Sequence, residues 1–246
     1  MQNTRFFIDY KALRVIFILI FTLSPIISSA NELNVYSGRK TALIKPLLDQ
    51  FQNETGIKVN LVTAKSDVLI KRIESEGKRT PVDIFITADV GRLDRAKKMD
   101  LLHKIDIRSI KNKISPNYID KDYKWVGLSK RIRTIIYSKK NVNKNDISAF
   151  EDLAKDNWKN RICVRSSNNI YNQSLVASLI SNHGERKAEK IVKQIVNNFA
   201  RKPSGNDRSQ IIAVAKNECD IAIVNHYYYA MMLNSKDEEK RKFADQ

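Results

Sequence analysis

Three histidines and two cysteines in 246 residues leave little material for a soft-metal site. Cys163 and Cys219 belong to no Cys-x-x-Cys or Cys/His spacing, and His103, His183 and His226 stand far apart. The usual thiolate and imidazole patterns are therefore excluded. The sequence also lacks a Gly-x-Ser-x-Gly elbow, a His-Glu-x-x-His pair and a phosphate loop, which argues for a protein that is not an enzyme. Its seven glycines and five prolines gather into no linker or low-complexity tract. Beyond the N-terminus no apolar run is long enough for a bilayer, which needs about 20 residues, so the mature chain is expected to be soluble.

Residues 1–30 do have a distinct character. Arg5, Lys11 and Arg14 form a basic start, Val15 to Ile27 an apolar run broken only by Thr22, Ser24 and Pro25, and Ser28-Ser29-Ala30 a small-residue cleavage site. This reads as a secretory signal cleaved after Ala30, and the run is too short for a retained anchor. The leader carries a net +2, so the formal +17 of the chain falls to +15 on export. The remaining basic residues are scattered among Asp and Glu without a nucleic-acid motif. That favours an exported protein handling anions or anionic surfaces, with no nucleic-acid partner. For the two cysteines, an oxidising compartment leaves two readings open: a disulfide, or two thiols buried as small hydrophobes.

Periodicity organises the rest. Strands are expected at Asn34 to Ser37, Ile57 to Val62 and Asp83 to Ile86. Helices are expected from Thr41 to the cap at Gly56 (apolar side Leu43, Leu47, Leu48, Phe51), from Asp67 to Gly77, and over Asp89 to Met99. A second series follows: strands Arg133 to Tyr137, Arg161 to Arg165, a short one at Ala200 to Lys202, and Asp220 to Val224. Its helices are Tyr171 to Ile180, Gly184 to Phe199, Ser209 to Lys216 and His226 to Leu233. The alternation is α/β with a mainly parallel sheet, occurring twice. Two lobes around a cleft are expected, residues 31–130 and 131–246.

Tyrosine is the conspicuous residue. Tyr227, Tyr228 and Tyr229 follow the strand Asp220 to Val224, and Tyr171 follows the strand Arg161 to Arg165. Ligands of open α/β sheets bind beyond the carboxyl ends of the strands. If those two strands are neighbours, Tyr171, Tyr227 and Tyr228 converge. Adjacent residues at a helix start diverge by about 100°, so two of the triplet can reach one ion. Phenolate is a hard anionic ligand suited to Fe³⁺, and a trivalent ion can displace a proton held with a reference pKa of about 10. Arg131 and Arg133 could balance the charge or hold a small anion. Ser166, at a helix start, suits an anion-binding turn. Composition alone would more readily make the triplet packing, and His226 a solvated helix-start residue.

Six segments carry a resemblance: Val35-Tyr36-Ser37-Gly38-Arg39, Phe51 to Val59, Thr80 to Phe85, Gly127 to Arg133, Ser166 to Ser174, and Asp220 to Tyr229. In this order, behind a signal peptide, the chain resembles the ferric-ion-binding periplasmic proteins, the bacterial transferrins. The resemblance implies a type II periplasmic-binding-protein fold closing over Fe³⁺. It also implies a synergistic anion such as carbonate, and delivery to an inner-membrane iron ABC permease by a periplasmic monomer. Tyr227 and Tyr228 match the adjacent tyrosine ligands, Tyr171 a further one, and Arg131 the arginine beside the metal or its anion. Lys40-Thr41 stands where many relatives have His or His-Tyr, Ala88 where some have a carboxylate, and Met231 where one branch has arginine. Iron is then expected to rest mainly on the second lobe, with Arg39 and Lys40 drawing anions. The family pattern normally continues past Gln246, so the last part of the fold is expected to be missing. A related protein for a small anion, or a decayed fragment, are the alternatives.

Overall fold

The computed structural model describes residues 31–245; the signal sequence expected over residues 1–30 lies outside the described residues. Two compact units are present. Among the described residues, one holds residues 31–63 together with Pro81–Ile86, the other Ala64–Thr80 and residues 87–245. No helix among the described residues is long and apolar enough to cross a membrane.

In the first unit, β1 (Glu32–Ser37) pairs in parallel with β2 (Lys58–Thr63) and β3 (Ile84–Ile86), giving the order β2-β1-β3. Val35, Tyr36 and Ser37 are buried in the central strand. Helix α1 (Thr41–Thr55) ends where Gly56 turns left-handed at φ 70° and donates to Gln52 O, a backbone state that glycine enters without strain. Its inward row is the buried Ile44 with the half-buried Leu48 and Phe51, whereas Leu43 and Leu47 are 62% and 59% exposed. The expected apolar side was thus rotated. Residues 43 and 47 flank the 44–48–51 row and fall outside it at 3.6 residues per turn.

The second unit opens with α2 (Ser66–Glu76) and α3 (Val90–Lys98). Its sheet has the order β4-β6-β5, with β4 (Arg133–Tyr137) antiparallel to β6 (Ile221–Asn225) and β5 (Ile162–Cys163) parallel to it. All five residues of β6 are buried, as a central strand covered on both faces requires. Side chains alternate between two cores. Ile162, Val164, Ile221 and Ile223 pack on one side with Trp158, Leu179, Ala188, Ile191 and Ile195. These come in part from α4 (Ile170–His183) and α5 (Glu185–Asn197). On the other side Cys163, Ala222 and Val224 meet Ile211, Val214, Met232 and Ala244, carried by α6 (Asp207–Ala215), α7 (His226–Leu233) and α8 (Glu238–Asp245).

Cys163 and Cys219 form a disulfide across a sequence separation of 56, which resolves the two open readings. The strand expected at Ala200 to Lys202 is reduced to a single bridge between Ile162 and Phe199. The chain then turns away through Pro203 and Gly205, the latter at φ 67°. Pro203 has no N–H to offer a ladder.

Candidate functional site

Three strand ends meet at one edge of the second sheet. Because β5 and β6 are parallel, their carboxyl ends lie side by side; because β4 is antiparallel, it begins there, with Arg133 paired to Asn225. The condition for convergence of the tyrosines is therefore met. Asn169 caps α4 by accepting from Tyr171 N at 3.0 Å, which fixes the backbone from which that phenol projects. On the other arm Asn225 is both the last residue of β6 and the N-cap of α7, so Tyr227 and Tyr228 stand on the first turn with no loop before them.

The phenols form a chain. Tyr171 and Tyr227, and Tyr227 and Tyr228, lie close enough for each phenol to bear on the ionisation of its neighbour. The rings of Tyr227 and Tyr228 lie 4.4 Å apart between centroids, and Asn225 Nδ2 donates to the Tyr227 hydroxyl at 3.3 Å. Burial pushes Tyr171 up to about 12, helped by its hydrogen bond to Tyr227, while the charge of Arg131 pulls the other way. Burial also raises Tyr227, with the neighbouring Tyr228 adding to the shift and Asn225 and Tyr171 opposing it. Without a cation Tyr171 and Tyr227 are thus held protonated.

Arginines surround them. Arg131 lies over the Tyr227 ring at 5.9 Å, Arg165 over Tyr171 at 5.7 Å and Arg208 over Tyr228 at 5.0 Å. Beneath stands Asp207, whose side chain is fully buried. It accepts from Arg133 at 2.7 Å, Arg165 at 3.0 Å and the backbone N–H of Asn225 at 2.8 Å. Arg133 also donates to Asn172 Oδ1 at 2.6 Å, tying β4 to α4. Burial pulls Arg133 below the usual guanidinium value, against the opposing charge of Asp207. The Nε atoms of Arg133 and Arg165 are buried without a partner among the described residues.

The structure thus brings together Tyr171, Tyr227, Tyr228, Arg131 and Arg133. Arg133 is already committed to Asp207 and Asn172, while Arg131 keeps its guanidinium free of ion pairs among the described residues. Ser166 lies in the loop before α4, its Oγ accepting from Asn168 N at 3.3 Å. Arg39 follows β1 in the other unit, its backbone N–H donating to Ser37 Oγ at 3.2 Å. Beside Ala88, Asp89 caps α3, accepting from Gly91 N at 3.0 Å and Ser174 Oγ at 2.6 Å. His226 is exposed, with Nδ1 against the Ile132 backbone. Among the described residues no group of three or more His, Cys, Asp or Glu could hold a metal ion, which leaves phenol oxygen as the hard donor of this region.

Asp207, Arg165 and Arg208 were not expected from sequence. The signal was available: Asn206 and Ser209 make a reciprocal cap, Ser209 N to Asn206 Oδ1 at 3.2 Å and Asn206 N to Ser209 Oγ at 3.4 Å. An Asn-x-x-Ser reading starts α6 at Asp207 and puts Asp207 and Arg208 on its first turn.

Known proteins are similar to this chain. The chain is 41% identical over 215 residues to iron uptake protein A1 of Synechocystis, covering 87% of this chain and 59% of that one. It is 30% identical over 209 residues to the major ferric iron-binding protein of Neisseria meningitidis, covering 83% and 62%. The chain spans about three fifths of the length of the curated relatives it matches. The solved structure of Trichodesmium IdiA (FutA) in complex with iron and citrate ligands is 46% identical and superposes with a TM-score of 0.83, over 87% of this chain and 68% of that one. The fold is the type II periplasmic-binding-protein fold. Residues 33–237 match the model of the bacterial extracellular solute-binding proteins, and the chain belongs to that family.

Proposed function

We propose that the chain captures Fe³⁺ through the phenolates of Tyr171, Tyr227 and Tyr228 and acts as the periplasmic, non-enzymatic binding component of an iron ABC transporter. One observation carries this reading: the three phenols stand together at the joint carboxyl ends of β5 and β6, the Tyr227 and Tyr228 rings 4.4 Å apart and Tyr171 close enough to Tyr227 to bear on its ionisation. A trivalent cation replaces their protons and turns three clustered donors into three anionic ligands. The relatives named for ferric iron support the cargo. Delivery is to an inner-membrane permease, by a monomer without nucleic-acid partners.

Charge supports an accompanying anion. Arg131, Arg133, Arg165 and Arg208 against the single carboxylate of Asp207 leave three positive charges around the phenols. Three phenolates cancel that excess, and a bound Fe³⁺ restores it. An anion such as carbonate or a polycarboxylate, held by Arg131 and the Ser166 turn, neutralises the loaded site.

Ferric titration of the folded protein should produce a visible tyrosinate-to-iron charge-transfer band. A folded protein that stays colourless sinks the proposal. A second reading, a small-anion binder using the phenols as donors, is favoured by the high value of Tyr171. Thermal shifts with anion alone, ferric salt alone and both separate the two readings.

A further inference from the structure

Arg208 stands where a helix does not favour a cation. It is the second residue of α6, at the end where the helix dipole carries partial positive charge and stabilises acids rather than bases. No carboxylate compensates it: among the described residues its guanidinium meets only the Met231 sulfur, at 3.9 Å, and the face of the Tyr228 ring, at 5.0 Å. Arg165 lies over Tyr171 and Arg131 over Tyr227, so each of the three rings has its own arginine, delivered by a different segment of the chain. Arg165 is also held by Asp207, which gives it a structural task besides; Arg208 has none.

We propose that Arg208 is a positioning residue for the cargo. Its guanidinium holds the Tyr228 ring by its face and balances the charge of that ring in the loaded protein. This deepens the ferric reading above and rests on it. A cation over an aromatic face is attracted by the π electrons. When the oxygen of that ring becomes an anionic ligand, the attraction grows into an ion pair across the ring, so the contact is stronger in the loaded protein than in the empty one. The same field lowers the energy of the filled ring orbitals. Moving an electron from Tyr228 to the ferric ion then takes more energy than it would without Arg208.

Ferric titrations of the wild-type chain, Arg208→Gln and Arg208→Lys test this, with a urea midpoint for each to establish folding. The expected result is a charge-transfer band at longer wavelength in Arg208→Gln, about tenfold weaker ferric binding, and an unchanged midpoint. Arg208→Lys, which keeps the charge, should return the band toward the wild-type position. If the Arg208→Gln band and affinity match wild type, Arg208 has no such role and the ferric reading stands. A band that lysine leaves uncorrected assigns the effect to side-chain shape and overturns the charge argument. If wild type itself gives no band, both the ferric reading and this inference fall.

Discussion

Replacing the Tyr171 hydroxyl by hydrogen, in Tyr171→Phe, leaves the ring over which Arg165 lies and removes only the phenol oxygen. Ferric affinity should fall by more than the roughly 10–100-fold that loss of an outer-shell partner costs, and the same holds for Tyr227→Phe and Tyr228→Phe. Titrations of the three variants check it. Each coordinating phenol gives up a proton, so ferric uptake should weaken as pH falls. In the empty protein the sign differs. Burial raises Tyr171 above its ordinary value of about 10, so its contribution to stability is complete below that pH. It is lost as pH climbs through about 12. In a tyrosinate absorbance titration the phenol that ionises at about 12 should be missing from Tyr171→Phe. At this scale the sequence was legible wherever a residue's position follows from its place at a strand end, as for Tyr171, Tyr227 and Tyr228. It was not legible for Asp207, whose partners Arg133 and Arg165 are 74 and 42 residues away and become neighbours only when β4 and β5 flank β6.

Among the elements, α6 and the β5–β6 pair hold the site in place. Asp207→Ala leaves Arg133 and Arg165 buried without a counter-charge and frees the Asn225 N–H, which should cost about 3–5 kcal/mol; urea denaturation measures it. The disulfide closes a loop of 56 residues between β5 and the turn before β6. Replacing both cysteines by alanine should lower stability by about 2–4 kcal/mol, read as a shift in the same transition. Element existence was largely readable from periodicity, since β4 and α7 fall where apolar and β-branched runs put them. Two parts were not. The 3-10 turns between Lys144 and Trp158 have no long-period pattern, yet they deliver the buried Leu153 and Trp158 to the core. Helix α8 is mostly charged, and it is placed by the docking of Phe243 and Ala244, which no local signal announces.

For the whole molecule, charge is the property that acts at a distance. With a formal net charge of +17, the chain should sediment with anionic vesicles at ~10 mM salt. Release is expected near ~150 mM, as the screening length drops from about 30 to about 8 Å. Ferric salt with a polycarboxylate should raise the melting temperature more than either alone, by an amount that grows with the logarithm of concentration. The junction at Asn225, where β6 passes into α7 without an intervening residue, also bears on how such a binder can diversify. A loop can lengthen and leave its neighbours undisturbed, but here one inserted residue would turn every following side chain by about 100° and scatter the donors. Descendants of this chain can therefore acquire a different cargo by exchanging side chains at fixed positions, and lineages that insert or delete at this seam should lose the present one.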